Sequence, residues 1–209
     1  HVNAIAGGGY TGTITATLKG TASQLTNSDN ASGWSNFADT KSNITFEITS
    51  GNVSVAQLAI LAGDTQLTNI STTDGEGLFI SDSIGNLITD NGTTASNSAN
   101  FATALSHTDS ENISLNAAIT VAAGADGTQD IRQLNKLLSS AEGGVTASIT
   151  DHSSNLLLTH GVGNGLRLTG TGSNDSITVA LGSVAATEDL LTELNTLAGQ
   201  AGVSSLTAS

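Results

Sequence analysis

Residues 130–150 read DIRQLNKLLSSAEGGVTASIT, and the two halves of this segment differ in hydrophobic period. In the first half, apolar residues recur at the spacing of one helical face: Ile131, Leu134, Leu137 and Leu138. From 145 to 150 apolar and polar residues alternate, which is typical of a strand with one buried face. Glycines at 143–144 can end the helix, because glycine readily adopts positive φ. The segment predicts a helix, a tight turn and a strand.

A second apolar run follows that strand closely. Residues 151–154 read DHSS, and 155–159 read NLLLT. A short polar turn between two strand-like segments favours an antiparallel hairpin. We therefore predict that 145–150 and 155–159 pair with each other.

The same patterns recur along the rest of the chain. Alternating or short apolar runs predict strands at 10–18, 43–49, 77–80, 86–89, 113–121, 165–169 and 177–181. The pair 77–80 and 86–89 is expected to form a second hairpin. Helical spacing predicts a helix at 188–198 and one or two turns at 96–105, while 53–61 suits either a strand or a helix and favours a short helix. The tail after Gly202 is expected to be frayed or continued by further sequence.

These elements predict a β-rich α+β fold, with antiparallel sheets and short helices packed on them. A polar seam near 106–112 divides the chain into two modules. The first, 1–106, is β-rich, and the second, 107–209, combines strands and helices.

Charge and composition exclude several classes of function. The 209 residues include 5 Lys and Arg against 18 Asp and Glu, a formal net charge of -13, which opposes binding to nucleic acid or anionic lipid. No run of about 18 apolar residues occurs, so membrane insertion is not expected. The absence of Cys excludes disulfides, thiol catalysis and sulfur-ligated zinc.

Residues 130–159 resemble the IN motif of bacterial flagellins and hook-associated proteins. In that family a short helix with an Ile-Asn pair leads through glycine into a Val-Thr-Ala-Ser-Val strand, and a second strand ends in Leu-Thr-Ser. Here Leu134-Asn135 stands in place of Ile-Asn, residues 145–149 read VTASI, and His160 stands in place of the final Ser. A chain rich in Ser and Thr, without Cys or Pro, also suits a subunit that is exported unfolded.

The resemblance implies a structural role outside the cell. It identifies the chain as an outer, surface-exposed domain of a filament or cap protein, located on a bacterial surface appendage, whose partners are other copies of the parent protein. The long terminal helices that build the filament core in that family have no counterpart here. We therefore expect the isolated chain to stay monomeric or weakly dimeric.

No catalytic group of residues can be assigned, so we predict that the protein is not an enzyme and has no cofactor. His152, His160 and Asp151 could approach one another across the expected hairpin, but turn or surface positions are favoured over a metal site. Acidic residues near glycine occur at 74–76, at 126–130 and at 170–175, where the sequence is GTGSND. Ordinary turns are favoured there over Ca²⁺ loops, because the spacing is not that of an EF-hand.

An alternative function is a binding domain of the adhesin or surface-layer type. Polar loops around Tyr10, Trp34 and Phe37 could recognise glycans or a host surface. A third possibility is a self-assembling surface fibre, since a terminal Thr-rich strand such as 11–18 is a template for strand addition.

Overall fold

The computed structural model describes residues 12–26, 43–49, 52–62, 67–72, 78–106, 111–115, 118–120, 128–141, 143–152, 171–182 and 188–208. The strands in these ranges are β1 (Thr15–Gly20), β2 (Asn43–Ile48), β3 (Leu67–Thr72), β4 (Leu78–Asp82), β5 (Ile88–Asp90), β6 (Ala95–Asn97), β7 (Glu111–Leu115), β8 (Ile119–Thr120), β9 (Val145–His152), β10 (Ser176–Gly182) and β11 (Val203–Ala208). The helices are α1 (Ala22–Leu25), α2 (Val55–Ala62), α3 (Ile84–Leu87), α4 (Ala99–Leu105), α5 (Thr128–Ser140) and α6 (Glu188–Ala198).

The chain forms two compact units, each of which draws on two segments. One unit consists of 1–80 with 99–111, and the other of 81–98 with 112–209. The division into modules 1–106 and 107–209 stays a prediction.

The first unit contains a parallel sheet in the order β1, β2, β3. Strand β2 shows the alternation predicted from sequence, because Ile44, Phe46 and Ile48 are buried and the residues between them are not. The register places Leu18 opposite Phe46, and Lys19 opposite Glu47. Apolar side chains thus share one face of the sheet and polar ones the other.

Two helices of this unit begin with reciprocal side-chain caps. In α1, Thr21 Oγ1 accepts from the Gln24 amide at 3.2 Å, while Gln24 Oε1 accepts from the Thr21 amide at 3.0 Å. Ser54 and Gln57 repeat the arrangement at the start of α2, also at 3.2 and 3.0 Å. Each pair satisfies two amides that lack helical partners. The buried face of α2 packs against α4, which contributes Phe101 to the core.

The larger sheet runs in the order β4, β7, β9, β10, β11, and β8 also pairs with β9. Strands β7, β8 and β10 are all parallel to β9, and β11 is parallel to β10. Because this order follows the chain, each connection advances in the same direction. Crossovers of one hand then lie on one side of the sheet.

The buried apolar residues of the second unit come from helix α5 and from the central strands of the larger sheet. Helix α5, which precedes β9, buries the four residues predicted for its apolar face: Ile131, Leu134, Leu137 and Leu138. Alternate aliphatic residues of β9 and β10 are buried as well: Val145, Ala147, Ile149, Ile177, Val179 and Leu181. On the other side of these strands the Ser and Thr residues at 146, 148, 150, 176 and 178 are exposed.

The predicted antiparallel fold is wrong. The described residues form mixed α/β structure with two parallel sheets, and only β5 and β6 form a small antiparallel pair. Parallel pairing needs a crossover, and the helices between β2 and β3, between β8 and β9, and between β10 and β11 lie in those crossovers. The sequence shows the strands and helices but not this order of pairing.

One predicted hairpin is wrong, and the second strand of the other lies outside the described residues. The described neighbours of β9 are all parallel to it: β7, β8 and β10. Residues 155–159 and 165–169 lie outside the described residues. In the other expected hairpin, 84–87 is helical and β5 pairs with β6 instead of β4.

The predicted positions of four helices are confirmed, whereas two predicted segments near 113–121 and after Gly202 differ from the structure. Helices predicted at 53–61, 96–105, 130–141 and 188–198 correspond to α2, α4, α5 and α6. The strand expected at 113–121 is interrupted, forming β7 and β8. The tail expected to fray after Gly202 forms β11, because its backbone pairs with β10.

Candidate interaction surface

The exposed side of the larger sheet is lined by hydroxyl groups. We call this surface the hydroxyl face and define it by the exposed residues Thr146, Ser148, Thr150, Ser176, Thr178, Ser204, Ser205 and Thr207. All belong to β9, β10 or β11, and none carries a charge. A chain with net charge -13 therefore presents a neutral polar surface here.

Parallel register arranges these hydroxyls in rows across the strands. Ser148 lies opposite Thr178, and Thr178 lies opposite Ser205. In a neighbouring row Ser176 Oγ is 3.3 Å from Ser204 Oγ, and Thr146 is the partner of Ser176 on β9. Adjacent strands are separated by about 4.8 Å, and side chains on one face recur along a strand at roughly 6.7 Å. The hydroxyl face is thus a set of rows across three strands, with a register shift between β10 and β11 after Ile177 and with Ala180 in place of a hydroxyl in one row.

Asp175 holds the start of β10 against its neighbours. Its Oδ1 accepts from the backbone amide of Val145, at the start of β9, at 2.7 Å, and its Oδ2 accepts from the Gly172 amide at 2.6 Å. Both carboxylate oxygens are therefore engaged by backbone donors, which form strong bonds to a charged acceptor. This part of the predicted 170–175 turn stabilises the packing of strands β9 and β10.

Two glycines allow the strand-entry turns to approach closely. A Cβ on Gly144 would collide with the carbonyl oxygen of Asn174, and a Cβ on Gly202 would collide with that of Gly172. Gly202 also has φ of 84°, in the left-handed region that favours glycine. These contacts, together with Asp175, fix the register that aligns the hydroxyl rows.

A second polar assembly fixes the β5–β6 hairpin on α5. Arg132 Nε donates to Asp90 Oδ2 and Arg132 Nη2 donates to Asp90 Oδ1, each at 2.9 Å. The buried Gln133 donates to the carbonyl oxygen of Ile88 at 3.0 Å. Ser140, at the end of the helix, donates to Asn97 Oδ1 at 2.9 Å. Hydrogen bonds from three residues of α5 thus hold the hairpin on the helix.

The negative charge of Asp90 is stabilised by its hydrogen-bond donors. The hydrogen bond from the Arg132 guanidinium holds the pKa of Asp90 below its ordinary value, with further lowering from the Gly92 amide and from the positive charge of Arg132. Burial of the carboxyl acts in the opposite direction and raises the pKa. The net lowering of the Asp90 pKa means that the hydrogen bonds and the positive charge of Arg132 outweigh burial. This ion pair is structural, since each oxygen of Asp90 already accepts a hydrogen bond from Arg132.

The chemistry available at the hydroxyl face is hydrogen bonding. A Ser or Thr hydroxyl needs an adjacent general base before it can act as a nucleophile. The rows across β9, β10 and β11 consist of Ser, Thr and Ala180, and His152 follows Thr150 by two residues on β9. In the part of the chain that the structure describes, no three His, Asp or Glu side chains form a group that could bind a metal ion. The hydroxyls of the face can each donate and accept hydrogen bonds.

The residues considered as metal ligands are not brought together by the described structure. His152 is the last residue of β9 and lies opposite Gly182, while His160 lies outside the described residues. Asp130 lies in the first turn of α5, and the other acidic candidates at 74–76 and 126 fall outside the described ranges. The loop residues considered for glycan binding also fall outside them: Tyr10, Trp34 and Phe37.

Sequence reasoning missed the hydroxyl face, although its signal was present. The alternate positions of 145–150 and 176–181 are Ser, Thr or Ala, which were interpreted only as the solvent side of isolated strands. Their assembly into one surface depends on which strands pair. The Arg132–Asp90 pair had no sequence signal, since the two residues lie on separate elements.

In comparisons with known proteins, the chain matches no family model, no curated protein and no solved structure. Across the described ranges, no helix has both the length and the apolar character needed to cross a membrane.

Proposed function

We propose that this chain is a structural, surface-exposed domain of an extracellular bacterial filament protein, of the flagellin or hook-associated type. The observation that carries the proposal is a parallel sheet with one face in the core and the other an uncharged array of hydroxyls. A sheet of this kind can expose its polar face to solvent on the outside of a filament. Its hydroxyls are uncharged groups that donate and accept hydrogen bonds.

The sequence resemblance at 130–159 supports the flagellar assignment. Its first part is a helix that leads through Gly143 and Gly144 into the strand VTASI, and α5 and β9 have that order. The parallel neighbours of β9 differ from the antiparallel hairpin predicted from the polar turn at 151–154. The assignment to flagellin or to a hook-associated protein therefore depends on sequence likeness and composition.

Immunogold electron microscopy on the source bacterium tests the location. Antibodies raised against the folded 209-residue domain should label intact, unpermeabilised cells along surface appendages, and should label filaments sheared from them. A cytosolic protein serves as the control that must stay unlabelled. Label that appears only after permeabilisation would refute an extracellular structural role.

A second candidate function is favoured by the regular rows of the hydroxyl face: an adhesin or surface-layer domain that binds glycans. A glycan presents hydroxyl donors and acceptors that the rows could satisfy. Glycan-array binding of the domain should fall about fivefold for each hydroxyl that contacts the ligand and is removed, since one hydrogen bond contributes about 1 kcal/mol.

The variant Thr178→Val tests this candidate, because it keeps the shape of an exposed central residue and removes its hydroxyl. Thr17→Val on β1 is the matched control on another sheet. Equal binding by both variants, or no glycan bound by the unaltered domain, would reject the binding function.

A further inference from the structure

Each sheet ends in a strand with one described neighbour. In the first unit, β1 pairs with β2, and no strand of the described residues lies on its other edge. In the second unit, β11 pairs with β10 and likewise has no described neighbour beyond it. An edge strand presents unpaired N–H and C=O groups that can accept another strand.

In both sheets, cross-strand rows of apolar side chains become more exposed to solvent at the edge strand. Val179 is fully buried, whereas Leu206, its partner on β11, is only half-buried. Phe46 is buried, whereas Leu18, its partner on β1, is half-buried. Each row therefore ends in a leucine with apolar surface still accessible. An added strand with an apolar residue at the matching position would complete either row.

The hydrogen bonds of β1 show which of its backbone groups face the free edge. The carbonyl oxygens of Ile14 and Gly20 accept from β2, at 2.8 and 3.0 Å. In a strand the N–H and C=O groups of successive residues point alternately to the two edges. The even-numbered residues of β1 therefore face β2. The N–H and C=O groups of Thr15, Thr17 and Lys19 point to the free edge.

The same argument applies to β11. The amide of Ile177 donates to the carbonyl oxygen of Gly202 at 2.8 Å, so Ile177 faces β11, and Val179, two residues later, faces it as well. Val179 lies opposite Leu206, and a residue in a parallel pair exchanges hydrogen bonds with the two neighbours of its partner. Val179 thus bonds to 205 and 207. The N–H and C=O groups of Leu206 point to the free edge.

We infer that β11 of one copy pairs in parallel with β1 of a second copy, with Leu206 opposite Leu18. In this register the Leu206 amide donates to the Thr17 carbonyl oxygen, and its carbonyl oxygen accepts from the Lys19 amide. The backbone pattern and the side-chain pattern agree, because a register that satisfies the backbone groups also places leucine opposite leucine. A shift by one residue would break both patterns.

We take the pairing partner to be a second copy of the chain, because this chain itself supplies both complementary edges, β11 and β1. Polar residues also match, with Ser205 opposite Thr17 and Thr207 opposite Lys19. The contact is heterologous, so one copy of a pair keeps an unused β1 edge and the other an unused β11 edge, and growth can continue beyond a dimer. This inference rests on the proposed structural function in taking other copies as partners, and it replaces the expectation of a monomer drawn from sequence.

The net charge of -13 makes association depend on salt. Copies of like charge repel one another at low ionic strength, and salt screens that repulsion over about 8–10 Å. The unaltered chain should therefore show a weight-average mass in sedimentation that rises with protein concentration, and rises further when NaCl is added. A single monomeric species at every concentration and salt level would overturn the inference.

Proline substitutions can block one edge at a time. Thr17→Pro removes a backbone donor that faces the free edge of β1 and leaves the bonds to β2, and proline is tolerated on edge strands in that position. Leu206→Pro does the same on β11. Thr17→Val and Leu206→Val are matched controls that retain the amides. Each proline variant alone should stay monomeric, while each valine variant should associate as the unaltered chain does.

Mixing the two proline variants distinguishes the proposed contact from others. Thr17→Pro keeps an intact β11 edge and Leu206→Pro keeps an intact β1 edge, so an equimolar mixture should form a 1:1 dimer with twice the monomer mass and grow no further. If β11 paired with β11 instead, Thr17→Pro alone would dimerise and mixing would add nothing. That result would overturn the inference.

Amide hydrogen exchange of the unaltered chain gives an independent test should either proline variant fail to fold. On association the amides of Leu206 and Lys19 should slow at least tenfold, whereas the Leu18 amide, which faces β2, should change little. No slowing at Leu206 in an associated sample would overturn the inference. Surface labelling of cells depends on neither edge, so these failures are distinguishable from failure of the proposed function.

Discussion

Loss of the Arg132 side chain should destabilise the second unit far more than loss of an exposed lysine. The substitution Arg132→Met keeps the length and apolar stem of the side chain while removing the guanidinium. It abolishes both 2.9 Å hydrogen bonds to Asp90, whose side chain is 0% exposed. Because the pair is part-buried and the Gly92 amide still donates to Asp90 Oδ1 at 2.7 Å, we expect a cost of about 2–3 kcal/mol, as for hydrogen bonds to a charged group. That is a large share of the roughly 5–15 kcal/mol by which domains are stable.

Lys19→Met is the matched control. Lys19 pairs with Glu47 at 2.7 Å, but the lysine side chain is 59% exposed. An exposed pair contributes about 0–1 kcal/mol. Urea unfolding followed by far-UV circular dichroism should therefore show a free-energy loss at least three times larger for Arg132→Met. Equal losses, or a loss below about 1 kcal/mol for Arg132→Met, would refute the argument that burial determines the strength of this pair.

A double-mutant cycle separates the Arg132–Asp90 interaction energy from the other effects of Arg132→Met on stability. Asp90→Asn removes the charge and keeps the shape, and it should lessen the penalty of Arg132→Met when the two are combined. We expect a coupling energy of about 1.5–3 kcal/mol. Additive losses would mean that Arg132 stabilises the fold through its packing on the hairpin instead of through Asp90.

The pH dependence of stability should reveal the same pair. The Arg132 hydrogen bond lowers the pKa of Asp90 in the folded state, so the unfolded state binds the proton more readily. The stabilisation is present above the unfolded pKa of about 3.9 and is lost as pH falls through the folded pKa. Urea midpoints at pH 7, 5, 4 and 3 should fall more steeply in the unaltered chain than in Arg132→Met. Parallel curves would contradict the assignment.

Two further substitutions test the turns that set the register of the hydroxyl face. Gly202→Ala should cost about 2–4 kcal/mol, because φ is 84° and the new Cβ would lie 2.8 Å from Asp175 Cβ; Gly85→Ala, with nothing within 4 Å, is the control and should stay within about 1 kcal/mol in thermal melts. Asp175→Ala leaves the Val145 and Gly172 amides without their acceptor and should cost about 2–4 kcal/mol. An unchanged melting temperature and an unchanged exchange rate at Val145 would show that Asp175 does not hold the strands together.

The local structure of the second unit could be predicted well from sequence. The 3.6-residue period at 131–138 placed α5 correctly, and its four apolar residues are buried as expected. The alternation at 145–150 likewise identified which residues of β9 face the core. These predictions succeed because period and burial are set by neighbours within one element. Capping boxes at 21–24 and 54–57 were readable in the same way but were overlooked.

Strand pairing could not be predicted in this way. The polar turn at 151–154 made a local hairpin the economical interpretation, but β9 pairs with strands distant in sequence on both edges. Strand β11 shows the same effect, since a six-residue segment expected to fray is held by its ladder to β10. An isolated segment does not specify its partner, because the hydrogen bonds that select it belong to residues far along the chain.

The sequence by itself therefore determined the aliphatic core, the positions of the main helices and strands, and the net charge of -13. Only the tertiary structure decided that the strands run parallel, that their Ser and Thr residues form one hydroxyl face, and that Arg132 meets Asp90. The physical reason is the range of the interactions. Hydrophobic period acts within a few residues, whereas pairing and register depend on crossovers and on close contacts such as those at Gly144 and Gly202.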